Sequence, residues 1–360
     1  MEAVVSLDQA FWQGKRVFVT GHTGFKGGWL CLWLQRLGAD ITGYALKPPT
    51  NPCLFDVARV GEGMRSVIGD VRDPAHMNKI VQEVQPEIVI HMAAQPLVRY
   101  SYRHPVETYE TNVMGTVHLL EAVRGCASVK SILVVTSDKC YENRERQRGY
   151  KESDPLGGFD PYSSSKACAE LVTSAYRRSY FDKDHGIGVA TARAGNVIGG
   201  GDWSEDRLIP DMVRAWHKGK PVRIRHPKAV RPWQHVLEAL HGYLLLIERL
   251  AEHPQRFSGA WNFGPEDKEV KPVEWMVSRF ADAWGGGRWQ KAEIVDGLHE
   301  AGLLQLDCSK TRESLGWHPV LRVEDAVDWA ASWYRAFEDG SEMHCFTRDQ
   351  ISKYEALQPA

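Results

Sequence analysis

The feature of the sequence that most constrains its fold is a regular alternation of short apolar runs with longer segments of helical periodicity. The apolar runs predict six strands: RVFVT (16–20), DITGYAL (40–46), RSVIGD (65–70), EIVIHMAA (87–94), SILVVTSD (131–138) and IGVATARAGNV (187–197). Proline opens three of the intervening helices, at Pro74, Pro105 and Pro161. Strands that alternate with helices of this length imply a parallel sheet with helices on both faces. The predicted fold is therefore α/β and doubly wound.

The pattern changes after Asn196, where loops, prolines and cations replace the alternation. One more strand is predicted later, at WNFGP (261–265). The predicted division is a sheet domain at 1–195 that about 236–265 rejoin, and a smaller, mixed C-terminal domain at 196–235 and 266–360.

Bulk composition excludes several classes of function. The formal net charge of -2 gives no electrostatic basis for binding nucleic acid or an anionic membrane. No apolar stretch approaches the length of about 18 residues that spans a bilayer, and the N-terminus is too polar for a signal peptide. The cysteines are odd in number and form no CxxC pair, which indicates reduced thiols and a cytoplasmic location. His22, His91 and His235 fit no common metal-site spacing, so no metal is predicted.

A glycine-rich segment, TGHTGFKGG (20–28), lies between the first predicted strand and the first helix. Its glycines allow the backbone to turn tightly and to approach a pyrophosphate that the helix N-terminus then binds. A purely structural turn is the alternative, but the strand–helix context favours a dinucleotide site of the Rossmann type. The acid that usually binds the ribose of NAD after the second strand is missing. Asp70, after the third strand, is the available carboxylate, either as an adenine contact or as a strand-end cap. Lys47 leaves the choice between NAD and NADP open, and we favour NAD.

Two residues of PYSSSK, Tyr162 and Lys166, are four positions apart and therefore lie on one face of a helix. A neighbouring ammonium lowers the pKa of a phenol, so the tyrosine can remove a hydroxyl proton while a nicotinamide accepts the hydride. Such a pair is often only a surface contact. Combined with the glycine turn and with Ser137 at the end of the fifth strand, it indicates a catalytic site.

Motifs throughout the chain resemble the extended short-chain dehydrogenase/reductases that act on nucleotide sugars. They are TGHTGFKG, HMAAQ (91–95), Asn112 in TNVMGT, TSDKCY, YSSSK, ARAGNVIGGGDW and RPWQHV (231–236). Within this family the chain is similar to the sugar 4,6-dehydratases, which usually carry Thr-Asp-Glu where this chain has Ser137, Asp138 and Lys139. Lysine at the third position, together with GHTGFKG and the GGGDW and DRLIPD stretches (199–211), resembles the branch that acts on CDP-glucose.

The resemblance implies an oxidation, an elimination and a reduction on one sugar, with NAD as cofactor. Tyr162 takes the proton of the 4-hydroxyl, which Ser137 orients, and NAD+ accepts the hydride. Asp138 then protonates the departing 6-hydroxyl while Lys139 removes the proton on carbon 5, and the hydride returns to carbon 6. The implied product is CDP-4-keto-6-deoxyglucose. Two alternatives remain for the pair: Lys139 stays charged to stabilise the enolate, or Asp138 and Lys139 form a solvated loop pair.

The resemblance and the positions at strand ends also predict the binding residues. The cofactor set is Gly21, His22, Thr23, Gly24, Phe25, Lys26, Gly27, Asp70, Val71, Ala93, Ala94, Asn112, Tyr162 and Lys166. The substrate set is Gln95, Arg99, Tyr102, Asn196, Arg207, Leu208, Arg231 and Asn262. Arg207 and Arg231 offer planar forks to pyrophosphate oxygens, although Arg207 suits a surface salt bridge equally well. Tyr100 is a further pocket candidate, and Tyr109 and Trp203 suit the core equally well.

Family members commonly pair through the helix that carries YxxxK and the helix before it, so a homodimer or homotetramer is expected. The expected partner is a small-molecule substrate, without nucleic acid or membrane, in the synthesis of deoxysugars for lipopolysaccharide. One alternative function is another nucleotide-sugar enzyme, either a 4-epimerase or a dehydratase of a GDP- or dTDP-sugar. Epimerisation, however, needs no elimination acid or base. The other alternative is a non-catalytic dinucleotide-sensing protein, against which the intact Ser137, Tyr162 and Lys166 argue.

Overall fold

The computed structural model describes residues 5–181, 186–293, 297–298 and 302–358. The strands are β1 (Arg16–Thr20), β2 (Asp40–Ala45), β3 (Arg65–Ile68), β4 (Ile88–His91), β5 (Ser131–Val135), β6 (Gly188–Ala194), β7 (Val197–Ile198), β8 (Val222–Ile224), β9 (Val230–Arg231), β10 (Gln234–His235), β11 (Gly259–Phe263), β12 (Lys271–Pro272) and β13 (Trp289–Lys291). The α-helices are α1 (Gln9–Trp12), α2 (Phe25–Arg36), α3 (Leu54–Val57), α4 (Pro74–Val84), α5 (Val98–Arg103), α6 (Pro105–Tyr109), α7 (Gly115–Arg124), α8 (Pro161–Tyr176), α9 (Leu208–His217), α10 (Val236–Glu252), α11 (Pro254–Phe257), α12 (Val273–Trp284), α13 (Ser309–Leu315), α14 (Val323–Glu338) and α15 (Met343–Leu357).

Seven strands form one sheet in the order β11-β6-β5-β4-β1-β2-β3, and every neighbouring pair is parallel. The chain winds outward from β1 to β3 in one direction and from β4 to β6 in the other. The strand order therefore reverses between β1 and β4, and this switch point is where open α/β sheets bind their ligands. The predicted doubly wound fold, including the late strand at 261–265, is confirmed.

The sheet strands are shorter than predicted at their carboxyl ends. β4 ends at His91 and β5 at Val135, three residues before the predicted ends of both strands. The residues that follow, 92–94 after β4 and 136–138 after β5, leave the sheet ladder and line a cavity, whereas the strand residues before them are buried. Successive side chains of a strand point to opposite faces of the sheet, so the core has two parts. Along β1, Val17 and Val19 belong to the hydrophobic cluster on one face, and Phe18 belongs to the cluster on the other face.

Helix α10 covers one face of the sheet and is buried along almost its whole length. Helices α4 and α7 supply the apolar side chains of the opposite face. Within the described part of the chain, three two-stranded sheets lie outside the main sheet and pair β7 with β10, β9 with β12, and β8 with β13. The C-terminal helix α15, from the predicted second domain, contacts α2, where Glu355 accepts hydrogen bonds from Trp33 and Arg36. The predicted domain bounds remain a prediction. Among the described residues, no helix is long and apolar enough to cross a membrane.

Candidate active site

The carboxyl ends of the sheet strands border a cavity of about 1580 Å³. Most of the predicted site residues line it. They are Gly21, Thr23, Gly24, Phe25, Lys26, Gly27, Asp70, Val71, Ala93, Ala94, Gln95, Arg99, Ser137, Asp138, Lys139, Tyr162, Lys166, Asn196, Arg207, Leu208 and Arg231. Tyr100 and Trp203 line the cavity as well.

The glycine turn after β1 is built so tightly that two of its glycines admit no side chain. Gly21 has a φ of +81°, and a Cβ on it would lie 2.7 Å from the Ala93 nitrogen. A Cβ on Gly27 would lie 2.1 Å from the Gly21 carbonyl oxygen. None of the described side chains caps α2 at Gly24, so the first amides of this helix are available to an anion in the cavity. The turn therefore fits the pyrophosphate of a dinucleotide.

Asp70 is the carboxylate that the sequence offered for the cofactor, and its contact with a cofactor stays a prediction. It lines the cavity at the end of β3, and it also pairs with Arg72, whose Nη2 lies 2.6 Å from Asp70 Oδ2. The hydrogen bonds from Arg72 hold the pKa of this carboxyl below its usual value. Asp70 is consequently an anionic acceptor beside the glycine turn.

Two of the predicted cofactor residues lie behind the cavity wall. His22 is buried between Ser66, whose Oγ is 2.7 Å from His22 Nε2, and the ring of Phe55. Burial lowers the pKa of His22 to about 4, so the imidazole is neutral. Asn112 donates to Ser165 Oγ at 2.8 Å and exchanges hydrogen bonds with the backbone of Gln95. Both side chains therefore support the segments that line the cavity, and contact with a cofactor stays a prediction for them.

Lys26 is the one cation of the glycine turn, and it points toward the catalytic side of the cavity. Its Nζ donates to the Tyr243 hydroxyl at 3.0 Å. Burial is the main cause that lowers the pKa of Lys26 to about 7, and the positive charges of Lys166 and Arg207 add to it. Sequence reasoning did not predict the contact with Tyr243, because α10 reaches the turn only through the fold.

The segment that follows β5 carries the predicted acid and base on a short 3-10 turn, Asp138–Cys140. Ser137 begins this turn, since its Oγ accepts from Lys139 N at 3.2 Å and donates to Asp138 Oδ1 at 3.0 Å. Asp138 is only 3% exposed. Burial raises its pKa, against the opposing effects of Lys139, Ser137 and Arg231. Asp138 Oδ2 has no hydrogen-bond partner among the described residues and faces Gly195.

Helix α8 brings Tyr162 and Lys166 to the same wall. Asp160 caps the helix by accepting from Ser163 N at 2.9 Å. Lys166 Nζ donates to Val135 O at 3.2 Å, and burial lowers the pKa of Lys166 to about 8. Burial raises the pKa of Tyr162 to about 12, and the groups that oppose this are Ser137 and Arg207. The sequence predicted that Lys166 lowers the pKa of Tyr162. In the structure, the Lys166 side chain instead points toward the backbone of β5.

The predicted substrate residues separate into two groups. Arg207 is 3.2 Å from Asp202, and Arg99 is 3.4 Å from Asp206, so both guanidinium groups line the cavity beside carboxylates. Asn262 instead lies inside the protein, where it donates to Tyr150 O and accepts from the Tyr141 hydroxyl. Tyr102 and Tyr109 are likewise absent from the cavity wall in the described ranges. Within the same ranges, no group of three or more histidine, cysteine or acidic side chains is arranged to hold a metal ion.

A doubly wound sheet with a glycine turn at its switch point and a buried tyrosine–lysine pair beside it defines an enzyme that uses a dinucleotide cofactor. The sequence profile of the NAD dependent epimerase/dehydratase family matches residues 17–264. The chain belongs to this family.

Curated relatives narrow the comparison. A CDP-glucose 4,6-dehydratase from Salmonella typhimurium (strain LT2) is 51% identical over 352 residues, which cover 97% of this chain and 98% of that protein. A dTDP-glucose 4,6-dehydratase from Xanthomonas campestris pv. campestris is 26% identical over 333 residues, which cover 88% of this chain and 92% of that protein.

Solved structures show the same fold at lower identity. A UDP-glucose 4-epimerase from Stenotrophomonas maltophila, with bound NAD and formylated UDP-arabinopyranose, has a TM-score of 0.79 at 22% identity and covers 91% of this chain and 100% of its own. A dTDP-glucose 4,6-dehydratase from Bacillus anthracis in complex with NAD has a TM-score of 0.75 at 21% identity, with coverages of 91% and 99%.

Proposed function

We propose that this chain catalyses the NAD-dependent conversion of CDP-D-glucose to CDP-4-keto-6-deoxy-D-glucose and water, which is a hydro-lyase reaction. The observation that carries the proposal is Asp138, a buried carboxyl with a raised pKa and one oxygen without a described partner, beside Lys139 on the cavity wall. A 4-epimerase of the same fold has no step that uses such an acid. The 51% identity to a CDP-glucose 4,6-dehydratase supports both the reaction and the substrate.

The cofactor fits the glycine turn, Asp70 and Lys166. When bound, NAD supplies the acceptor for the hydride of carbon 4 and returns that hydride to carbon 6. The turn at Gly21 and Gly27 lets main-chain amides approach the pyrophosphate, and Asp70 offers an acceptor on the same side of the cavity.

The first proton moves to Tyr162. Its phenolate oxygen takes the proton of the sugar 4-hydroxyl and becomes the neutral phenol, and Ser137 orients the same sugar oxygen. The hydrogen bond with Ser137 and the charge of Arg207 favour the phenolate that this step requires, whereas burial opposes it. Loss of the carbon-bound hydrogen leaves a 4-ketone, which acidifies the proton on carbon 5.

The elimination then uses the turn after β5. Asp138 gives its proton to the departing 6-hydroxyl, and burial, which raises the pKa of its carboxyl, favours the protonated form that this step requires. Lys139 takes the proton from carbon 5 as its neutral amine, or stabilises the enolate as its ammonium form. Exchange of the carbon 5 proton in a Lys139 variant distinguishes these two roles.

The nucleotide end of the substrate is proposed to bind along Arg207 and Arg231. Both guanidinium groups line the cavity, and planar forks match phosphate oxygens in a bidentate way. Arg207 is already held beside Asp202, so this pair places the fork before substrate binds.

Product identification tests the proposal directly. The purified protein is incubated with NAD+ and, separately, with CDP-, dTDP-, UDP- and GDP-hexoses, and the products are identified by mass. Loss of one water from CDP-glucose alone is the expected result. Loss of water from another nucleotide sugar instead would keep the dehydratase reaction and assign a different nucleotide to the substrate. An unchanged mass with every substrate contradicts the dehydratase assignment and leaves an epimerase or a sensing protein, which sugar NMR separates.

The predicted homodimer or homotetramer is also part of the proposal. Apolar side chains are exposed on the surface of α6 to α8: Val106 is 69% exposed, Met114 44% and Leu171 59%. A second copy that packs against these helices would bury these side chains. A cytoplasmic location and a role in lipopolysaccharide deoxysugar synthesis are also proposed. The location is supported by the seven cysteines, which are all free thiols.

Light scattering of the purified protein tests the assembly. The wild-type chain should have at least twice the mass of one chain, and Leu171→Glu should give a monomer because a carboxylate cannot be buried there without a partner. Leu357→Glu is the matched control, since Leu357 is 50% exposed on α15, outside the proposed interface. A wild-type monomer, or an unchanged mass of the Leu171 variant, contradicts the proposed interface.

A further inference from the structure

A buried polar network adjoins the catalytic wall of the cavity: Glu170, Thr191 and Arg193 lie behind the wall, and Thr136 and Tyr141 belong to it. At its centre, Glu170 accepts hydrogen bonds from Thr136 Oγ1 at 2.5 Å, from Thr191 Oγ1 at 2.7 Å and from Arg193 Nη2 at 2.8 Å. Glu170 and Arg193 are 4% and 3% exposed. Breaking a buried ion pair by removing one partner is strongly destabilising, and both carboxylate oxygens of Glu170 are hydrogen-bonded here.

The network joins the two elements that carry the catalytic groups. Glu170 lies on α8 one helical turn beyond Lys166, on the face that also carries Tyr162. Thr136 directly precedes Ser137, so its bond to Glu170 ties the start of the catalytic turn to this helix.

Tyr141 holds the other end of the turn. Its hydroxyl accepts from Arg193 Nη1 at 2.8 Å and donates to Asn262 Oδ1 at 2.7 Å. The Arg193 guanidinium also lies over the Tyr141 ring, 4.8 Å from its centroid. Tyr141 is 1% exposed and does not depend on solvent for these contacts. Asp138 and Lys139 thus lie between two anchor residues, Thr136 and Tyr141. Thr136 is hydrogen-bonded to Glu170 and Tyr141 to Arg193, so both anchors contact the same buried ion pair.

The two half-reactions depend on this network to different degrees. Tyr162 and Lys166 are held by the backbone of a long helix, and Lys166 also donates to Val135 O. Asp138 and Lys139 lie on a three-residue 3-10 turn, and Asp138 Oδ2 has no partner among the described residues. Loss of one anchor therefore displaces the elimination groups relative to the sugar and leaves the oxidation groups in place.

We propose that Tyr141 is a positioning residue which, through Arg193 and Glu170, holds the Asp138–Lys139 turn in register with helix α8, so that elimination of water requires it more than oxidation of the sugar does. This inference rests on the proposed dehydratase function.

Tyr141→Phe tests the inference because it removes one hydroxyl and keeps the ring. A misplacement of about 1 Å costs about 100-fold in rate, so water loss should slow by about 10- to 100-fold while oxidation at carbon 4 keeps its rate within about twofold. Quenched reactions should then contain an accumulated CDP-4-ketoglucose, lighter than substrate by two hydrogens, and exchange of the carbon 5 proton with solvent should slow in parallel. Tyr354→Phe is the matched control, because this buried hydroxyl donates to Glu238 at 2.8 Å and neither residue lines the cavity.

The outcomes separate this inference from the proposed function. Accumulation of the ketone in Tyr141→Phe, with a native circular dichroism spectrum and none in Tyr354→Phe, supports it. Equal slowing of both half-reactions, or no change in either, overturns it. Should Tyr141→Phe fail to fold, Arg193→Lys tests the same inference with the same measurements. This variant keeps the positive charge beside Glu170 but loses the planar guanidinium that reaches Tyr141. If the wild-type protein releases no water from any nucleotide sugar, the proposed function fails, independently of any variant.

Discussion

Alanine at position 27 is expected to weaken NAD binding by roughly 100- to 10,000-fold. A Cβ on Gly27 lies 2.1 Å from the Gly21 carbonyl oxygen, which is a main-chain atom and cannot rotate away. Ordinary contact for a Cβ begins at 3.4 Å, so the glycine turn must open by more than 1 Å. Such an opening moves the first amides of α2 out of hydrogen-bonding distance from a pyrophosphate placed by the native turn.

The magnitude follows from the bonds that are lost. A hydrogen bond to a charged group contributes about 1.5–3 kcal/mol. The loss of two of them removes about 3–6 kcal/mol, and every 1.4 kcal/mol or so changes the dissociation constant tenfold. Strain within the turn lowers the stability of the fold as well, by about 1–3 kcal/mol.

Calorimetric titration of the purified variant with NAD measures the effect. Gly28→Ala is the control, because its Cβ meets Leu54 Cδ2 at 2.9 Å, the end of a side chain that can move. The control should bind NAD almost as tightly as the wild type. The reasoning is refuted if Gly27→Ala has a native circular dichroism spectrum and a dissociation constant within about threefold of the wild-type value.

Three further predictions concern the elimination pair and a buried carboxyl. Asp138→Asn keeps the shape of the side chain but has no acid proton, so it should permit oxidation at carbon 4 and slow water loss about 100- to 10,000-fold in mass-resolved time courses; an unchanged elimination rate would remove Asp138 from the acid role. Lys139→Ala should stop exchange of the carbon 5 proton with deuterated solvent, followed by NMR, and continued exchange would mean that another residue is the base. Burial raises the pKa of Glu248 from 4.5 to about 7, so the stability that its neutral form contributes is complete below pH 4.5 and is lost as the pH rises through 7. Glu248→Gln retains the Oε1 that accepts from Trp12 Nε1 at 2.6 Å and Asp8 N at 3.0 Å, so it should raise the free energy of unfolding by about 3 kcal/mol at pH 8 and hardly at pH 4. Denaturant titrations at the two pH values measure this difference, and an equal change at both would contradict it.

The fold could be predicted because its determinants are local. Most sheet strands are apolar runs between turn residues, and the glycine turn and the PYSSSK segment each lie within nine residues or fewer of sequence. The lengths of β4 and β5 were overestimated because residues 92–94 and 136–138 extend the chain without joining the ladder. Apolar pattern alone does not distinguish a strand from the segment that follows it.

The supporting layer of the site could not be predicted, because its contacts join distant parts of the chain. Tyr141 meets Asn262 across 121 positions, and Arg193 meets Glu170 only through the register of β6 beside β5. The same cause explains why Asn262 was expected beside the substrate: a polar residue at the end of a strand suits the cavity or the interior equally well. One signal was available in the sequence, since Glu170 repeats the four-residue spacing of Tyr162 and Lys166.

Burial of the turn after β5 explains how an adjacent aspartate and lysine can act as an acid and a base. At a solvated position the two would form an ion pair, in which the carboxylate has already lost the proton that the leaving hydroxyl needs. Asp138 is 3% exposed, and the cost of a buried charge raises its pKa against the pull of Lys139 and Arg231. The raised pKa favours the protonated carboxyl that the elimination needs, and a protonated carboxyl places no negative charge beside Lys139. Because Thr136 and Tyr141 hold this turn in its buried position, the network beside the cavity supports the raised pKa of Asp138 as well as the position of the pair.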